Sequence, residues 1–469
     1  MKTNPFRELK TEPLDLDEKK LGTALEEGDY IVALVTATKP DFYKQWPLIP
    51  AAKRQNLPLF VINTGQHYDN ILGHGLKEFG IEDKIAINLN IRGDLSQKTS
   101  ELAIKINWLA NYIKKHYPKK TIIPIVHGDT HAAGVVPLAW MFSTNQKCAQ
   151  NEAGLRSMGP DYRNHKNVEK FIEDQFNMPW TINRNEPFPE QYDTFISAAA
   201  SHYHFAPTKL NRENLIREGY NAKNVYEVGN SVVDAIEHKR KQNKDDSIFS
   251  IYPVLETEDN WIRVDIHRRE NLLPERFSAI ITGVTKLVEK GYNINFINMT
   301  ATGIALKNYG LEEKLKRLEE SHKNFLSTGV WPVYGHVIEF LESGKCFAEF
   351  TDSGSMQEEL NEINKPLCFT ARYTTDRPET VMDAKTNILI PPISGEYIEN
   401  FISHIEKDTL IQKQMHNGKR LYGKNVGEKI IKIIKKTQDY PFEWAHDTVG
   451  ISKVKQNKSA SKNKQFDFL

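Results

Sequence analysis

Charged residues in this chain stand where apolar runs stop. In Pro124–Gly134 (PIVHGDTHAAG), Ile125 and Val126 give way at once to His127, Gly128, Asp129 and Thr130. Asn151-Glu152-Ala153-Gly154-Leu155-Arg156 offers a second carboxylate close by in sequence. Two carboxylates in one cleft suit proton transfer, because burial and mutual repulsion drive their proton affinities apart. Asp265-Ile266-His267-Arg268-Arg269-Glu270 sets a histidine beside two arginines just after an apolar run. Such a histidine moves a proton or supports a departing phosphate. Thr351-Asp352-Ser353-Gly354-Ser355-Met356-Gln357-Glu358-Glu359 joins small residues to a helix start, where free N–H groups and the helix dipole favour a phosphate or pyrophosphate. Glu359, about one turn further in, would accept bonds from sugar hydroxyls. Ala37-Thr38-Lys39-Pro40-Asp41 adds a point charge, Lys39, for a phosphate, and Thr64-Gly65-Gln66-His67-Tyr68-Asp69 is a further polar turn. Each motif has a plainer reading: Asp, Ser and Thr cap helices, and Gly, Pro and Asp form turns.

The elements that must position these residues alternate. Tyr30–Val35, Leu59–Ile62 and Thr121–Val126 read as buried strands, with helical periods over 97–116 and 132–142. The rhythm restarts with Val225–Val228, Ile262–Val264, Asn293–Met299 and Cys346–Phe350. The expectation is an α/β protein with two doubly wound, Rossmann-like domains facing a cleft, because open parallel sheets bind ligands at the C-terminal ends of their strands. The expected divisions are a peripheral arm over 1–28, a first domain over 29–227 and a second over 228–436. A terminal segment over 437–469, crossing back from Tyr440 and ending in a disordered basic tail, completes them.

The 469 residues suffice for two or three well-cored domains. A formal net charge of +1 gives no general reason to expect nucleic acid or an anionic membrane as partner. No apolar run approaches a membrane span, and the polar N-terminus does not read as a secretory signal. Cys148, Cys346 and Cys368 are far apart and form no metal-binding cluster, so reduced thiols, a cytoplasmic location and no metal are expected.

Taken together and in order, the motifs resemble the UDP-N-acetylglucosamine 2-epimerase family, of GT-B architecture. They are ATKPD (37–41), TGQH (64–67), HGDT (127–130), EAGLRS (152–157), PEQ (189–191), FAPT (205–208), GNSVVDA (229–235), HRRE (267–270), TDSGSMQEE (351–359) and TDRPE (375–379). The match spans roughly residues 30–435. It implies a non-hydrolysing isomerase that eliminates UDP from the sugar, holds 2-acetamidoglucal, and adds UDP back with a proton on the opposite face of C2. No cofactor is implied. The resemblance makes Asp129, Glu152, Glu190 and His267 catalytic. It makes Lys39, Arg268, Ser353, Gly354, Ser355, Glu359 and Arg377 contacts for the UDP-sugar, and it implies a homodimer.

The chain departs from the family at several points. Lys39 replaces an arginine and so loses bidentate phosphate binding. The histidine that many members use to bind an activating second UDP-sugar is absent near Asn298–Gly303, which leaves Gln66 and His67 as a remnant of that site. The connection 158–187 is longer than usual and starts and ends beside expected site residues, so a lid is expected, with surface decoration as the alternative. It also makes Glu186 a rival to Glu190. The rival functions are a hydrolysing epimerase that releases ManNAc and UDP, an epimerase for another UDP-2-acetamido sugar, and a GT-B glycosyltransferase.

Overall fold

The strand Tyr30–Thr36 is apolar at consecutive rather than alternate positions, and Ile31, Val32, Ala33 and Leu34 are fully buried. A strand reads this way when helices cover both faces of its sheet. The computed structural model, which describes residues 11–65, 75–241 and 246–439, has that arrangement twice.

The first sheet contains β1 (Asp15–Leu16), β2 (Tyr30–Thr36), β3 (Leu59–Asn63), β4 (Ile85–Asn88), β5 (Thr121–His127) and β6 (Ala149–Asn151). A separate two-stranded hairpin, β7 (Met158–Gly159) and β8 (Thr181–Ile182), follows, and then β9 (Tyr203–Ala206) and β10 (Val225–Glu227) rejoin the sheet. Its order is β1-β4-β3-β2-β5-β6-β9-β10, parallel except for β1. The second sheet contains β11 (Trp261–Asp265), β12 (Ile294–Ile297), β13 (Phe325–Thr328), β14 (Cys346–Thr351), β15 (Leu367–Thr370) and β16 (Asn387–Leu389). Its order, β13-β12-β11-β14-β15-β16, is parallel throughout. Each sheet reverses direction beside its first long strand, at β2/β5 and at β11/β14. Doubly wound sheets open their ligand crevice at such points.

Three segments differ from expectation. The arm is not peripheral over its described part: β1 pairs with β4, and the helix Glu18–Glu26 buries Leu21 and Leu25 completely. Those leucines are four residues apart and so share one helix face.

The chain returns to the first domain earlier than Tyr440. The helix Val426–Thr437 packs on the helix Leu48–Arg54, so closely that a Cβ at Gly427 would stand 2.5 Å from the Pro47 carbonyl oxygen. Arg54 pairs with Glu428, and Tyr203 donates to the Thr437 carbonyl at 3.0 Å. The expected crossing from Tyr440 and the basic tail lie outside the described residues.

The long connection is not placed as a lid. Its helix Val168–Asn177 buries Phe171, Ile172 and Phe176 in the second domain's core. Gln175 bonds both backbone groups of Leu389 (2.8 and 3.0 Å), so its side-chain amide stands where a further strand would pair with β16. The apolar face of that helix explains the difference: it needed a partner, and the edge of the second sheet supplies one.

Candidate active site

The ends of β2, β5 and β6 face the ends of β11, β14 and β15 across the two domains. The centre of the junction is Arg377, 2 % exposed, on the loop after β15. Its Nε bonds Glu358 at 2.7 Å and its Nη1 bonds Asp376 at 2.6 Å. It then reaches across to the first domain, with Nη1 3.4 Å from Asp129 and Nη2 3.2 Å from Glu152. Gly354 makes room for it, since a Cβ there would stand 3.1 Å from the guanidinium carbon. Burial lowers the proton affinity of Arg377, but Asp376, Glu358 and Glu152 outweigh that and raise it.

Asp129 and Glu152 are pushed in opposite directions. Burial raises Asp129 to about 6, against the pull of Arg377. Burial acts the same way on Glu152, but Lys44, Arg377 and His127 outweigh it and hold that carboxyl well below the usual range. Lys44 Nζ lies 2.7 Å from Glu152 and also bonds Glu358, while Asn230 donates to Glu152 at 2.6 Å. Glu152 itself sits at φ +64°, a left-handed conformation that costs a residue with a side chain on the order of 1 kcal/mol or more. The structure therefore pairs a carboxyl that gives up its proton near pH 6 with one that stays ionised, which is the pattern of acid/base sites.

Glu190 opens the helix Glu190–Ala200 and pairs with Arg268. Arg268 and Glu190 both act on the proton affinity of Asp129, so the three share one cluster. Glu186 is engaged elsewhere, in a two-pronged pair with Arg276 at 2.8 and 3.0 Å. His267 is held by its backbone: its N–H donates to Asp352, which also accepts from the Arg268 amide and from Asn271. Its Nδ1 lies 3.1 Å from Asp265 and 3.2 Å from Asp352. Burial lowers its proton affinity, but Asp352 and Asp265 outweigh that and raise it.

Asp265, His267 and Asp352 are close enough together to hold a metal ion. The oxygens of Asp352 already accept three N–H donors, and Asp265 faces both His267 and, at 3.8 Å, Arg263. The trio therefore fits the orientation of an imidazole better than a cation cage.

Ser353 caps the helix Gly354–Ile363, its hydroxyl accepting from the Met356 amide at 3.4 Å, so the capping role is present along with the strand-end position. Ser355 lies near enough to Tyr43 to act on the proton affinity of its hydroxyl. Lys39 crosses to the second domain and donates to the Trp331 carbonyl at 3.2 Å. Glu359 accepts from Tyr43 of the first domain at 2.9 Å, and Tyr43 stacks on Tyr334 with ring centroids 4.3 Å apart. Burial raises Glu359 to about 7. A carboxyl raised in the folded state contributes stability below its unfolded value near 4.5, and this is lost as pH rises through 7. The unliganded protein is expected to lose on the order of 3 kcal/mol from this group between about pH 4.5 and 7. Thermal melts across that range check this, and Glu359→Gln should flatten the fall. Gln66 and His67 lie outside the described residues.

Sequence reading did not assign roles to Lys44, Glu358, Asn230 or the pair His127–Asp41. Each stands inside a motif already singled out or one turn beyond it. Lys44 follows Lys39 in the helix Lys39–Gln45, and Glu358 precedes Glu359. Their meaning comes from partners across the cleft.

Comparison with known proteins places the chain among its relatives. The family described as UDP-N-acetylglucosamine 2-epimerase matches residues 180–435. A UDP-N-acetylglucosamine 2-epimerase of Methanocaldococcus jannaschii is 30% identical over 413 residues, 86% of this chain and 98% of that one. One from Campylobacter jejuni is 30% identical over 360 residues, 75% of this chain and 83% of that one. Among solved structures, the Methanocaldococcus jannaschii UDP-GlcNAc 2-epimerase in complex with UDP-GlcNAc and UDP superposes with a TM-score of 0.68 at 25% identity, over 87% of this chain and 99% of that one. A Listeria monocytogenes protein described as a putative UDP-N-acetylglucosamine 2-epimerase gives a TM-score of 0.70 at 25% identity, over 89% and 99%. With two doubly wound domains in GT-B arrangement and two oppositely tuned carboxyls on one arginine, the chain belongs to the UDP-N-acetylglucosamine 2-epimerase family.

Proposed function

We propose that this isomerase interconverts UDP-GlcNAc and UDP-ManNAc for surface-glycan precursors, by eliminating UDP to 2-acetamidoglucal and adding it back on the other face of C2. The observation that carries this is the meeting of Asp129 and Glu152 on Arg377 with opposite proton affinities. The C2–H of the sugar is too weakly acidic for direct removal. Departure of UDP therefore drives the step, and a group on each face of C2 must take or give the proton. Asp129, Glu152 and Glu190 are the proton-handling candidates. His267, with its raised proton affinity, and Arg268 are suited to support the developing charge on the diphosphate. Ser353, Gly354 and Ser355 at the helix start suit a phosphate, Glu359 suits the ribose hydroxyls, and Lys39 and Arg377 add positive charge. For ribose to reach Glu359, its bond with Tyr43 must be exchanged.

The reading divides the chain into a first Rossmann-like unit that supplies carboxylates and a second that binds UDP, with 158–187 as a strap between them. We infer a homodimer that pairs through Ile104, Trp108, Leu138 and Phe142, which are exposed on the helices Leu95–His116 and His131–Thr144. Light scattering at twice the chain mass, lost in Phe142→Asp, checks it. Among the described residues no helix is long and apolar enough to cross a membrane. Three buried free thiols suit a reducing, cytoplasmic setting.

Incubation with UDP-GlcNAc and chromatography of the products tests the function. UDP-ManNAc approaching a fixed ratio is expected. Free ManNAc with UDP would indicate the hydrolysing reaction, and transfer to an added acceptor would indicate a glycosyltransferase.

A further inference from the structure

Beside Glu152 stands a histidine to which the chemistry above gives no role. His127 ends β5 and is buried. Its Nδ1 is 2.9 Å from Asp41 Oδ1. Asp41 is pinned in turn: its Oδ2 accepts the backbone amides of Ala37 at 2.8 Å and Thr38 at 3.0 Å, at the start of the helix Lys39–Gln45. A carboxylate used this way accepts the Nδ1 hydrogen and fixes the ring, leaving Nε2 to face Glu152. That Nε2 lies 3.4 Å from Glu152 Oε2 and is a buried polar atom without a hydrogen-bond partner among the described residues.

The approach of these two atoms is built into the backbone. Gly128, between His127 and Asp129, has φ +61°, and a Cβ there would stand 2.7 Å from Glu152 Oε2. Only glycine leaves that space and adopts that φ without strain. A bare Nε2 would set its lone pair against those of the carboxylate, whereas one proton between them makes the contact attractive. The other charged groups around the pair are Lys44 on the helix that begins beside Asp41, Asp129 two residues further on, and Arg377 and Glu358 from the second domain.

We propose that His127, oriented by Asp41, is a positioning residue that shares one proton with Glu152 and thereby sets the proton affinity of that carboxylate. The proposal rests on the epimerase reading for its role in turnover, but not for its existence.

Two variants test it in the full chain: His127→Gln, and Asp41→Asn, which keeps the shape and an amide-accepting oxygen. Turnover of the parent protein, measured first, tests the epimerase reading separately. In both variants kcat is expected to fall roughly ten- to a hundred-fold with KM little changed. The acidic limb of the kcat–pH profile should move to higher pH: Glu152 loses its imidazole partner in His127→Gln, and in Asp41→Asn that imidazole loses the carboxylate that favours a proton on it. A purely structural role would lower activity without moving the limb, and that result would overturn the proposal. Nitrogen-15 NMR of labelled histidine needs no turnover: the Nε2 signal lost in His127→Gln should shift in Glu152→Gln, and an unchanged signal would also overturn it.

Discussion

Arg377→Met will destabilise the protein by about 3–5 kcal/mol, the cost of leaving buried charges without their partner. Asp129, Glu152, Glu358 and Asp376 all meet this one guanidinium, and Glu358 and Asp376 are fully buried; Lys44 and Arg372 stay behind as the other partners of Glu152, Glu358 and Asp376. Three of its nitrogens are used, in a planar fork that lysine cannot reproduce. Arg377→Lys therefore separates folding from chemistry. It keeps a charge at the junction, so the fold should survive, while Asp129 and Glu152 lose their common reference point. Turnover should drop on the order of a hundred-fold, as misplacement of reacting groups by about 1 Å does. Denaturant titration and steady-state rates of the two variants check both parts. A Lys variant with parental activity would remove Arg377 from the site.

The second large effect is at Asp129. Asp129→Asn keeps the size and the hydrogen-bonding outline but can neither take nor give the proton. A loss of about 10²–10⁴-fold in turnover is expected, the usual worth of a positioned acid or base. UDP should still bind, because the expected diphosphate contacts, His267 and Arg268, lie on the other domain. Calorimetric UDP titration together with rates would reveal the split. Equal losses in binding and rate would instead make Asp129 a structural partner of Arg377.

Much of this site was legible because chemistry-bearing residues stop apolar runs. HGDT, EAGLRS, HRRE and TDSGS each sit at a strand end, and parallel sheets gather those ends on one edge. Lys44 was not legible. It lies in a helix with Phe42 and Tyr43, where a lysine usually marks the solvent side, yet it is fully buried between two glutamates from different domains. Glu358 was passed over for its neighbour Glu359 for the same reason: the two differ only in what faces them.

The helices Val168–Asn177 and Val426–Thr437 show a further limit. Their apolar faces are readable from spacing, but spacing does not name the surface they cover. One covers the second domain from an insertion in the first, and the other covers the first from the end of the second. The polar N-terminal segment is the converse case, where composition outweighed Leu21 and Leu25.

The central claim is that carboxylates in this interdomain cleft exchange the proton at C2 of a UDP-sugar. Incubation with UDP-GlcNAc in D2O, followed by proton NMR of the sugar, tests it most directly. The account predicts deuterium at C2 in both UDP-GlcNAc and UDP-ManNAc with the parent protein, and exchange suppressed in Asp129→Asn. A sugar that stays protonated at C2 and unchanged, in the presence of folded and UDP-binding protein, would contradict it.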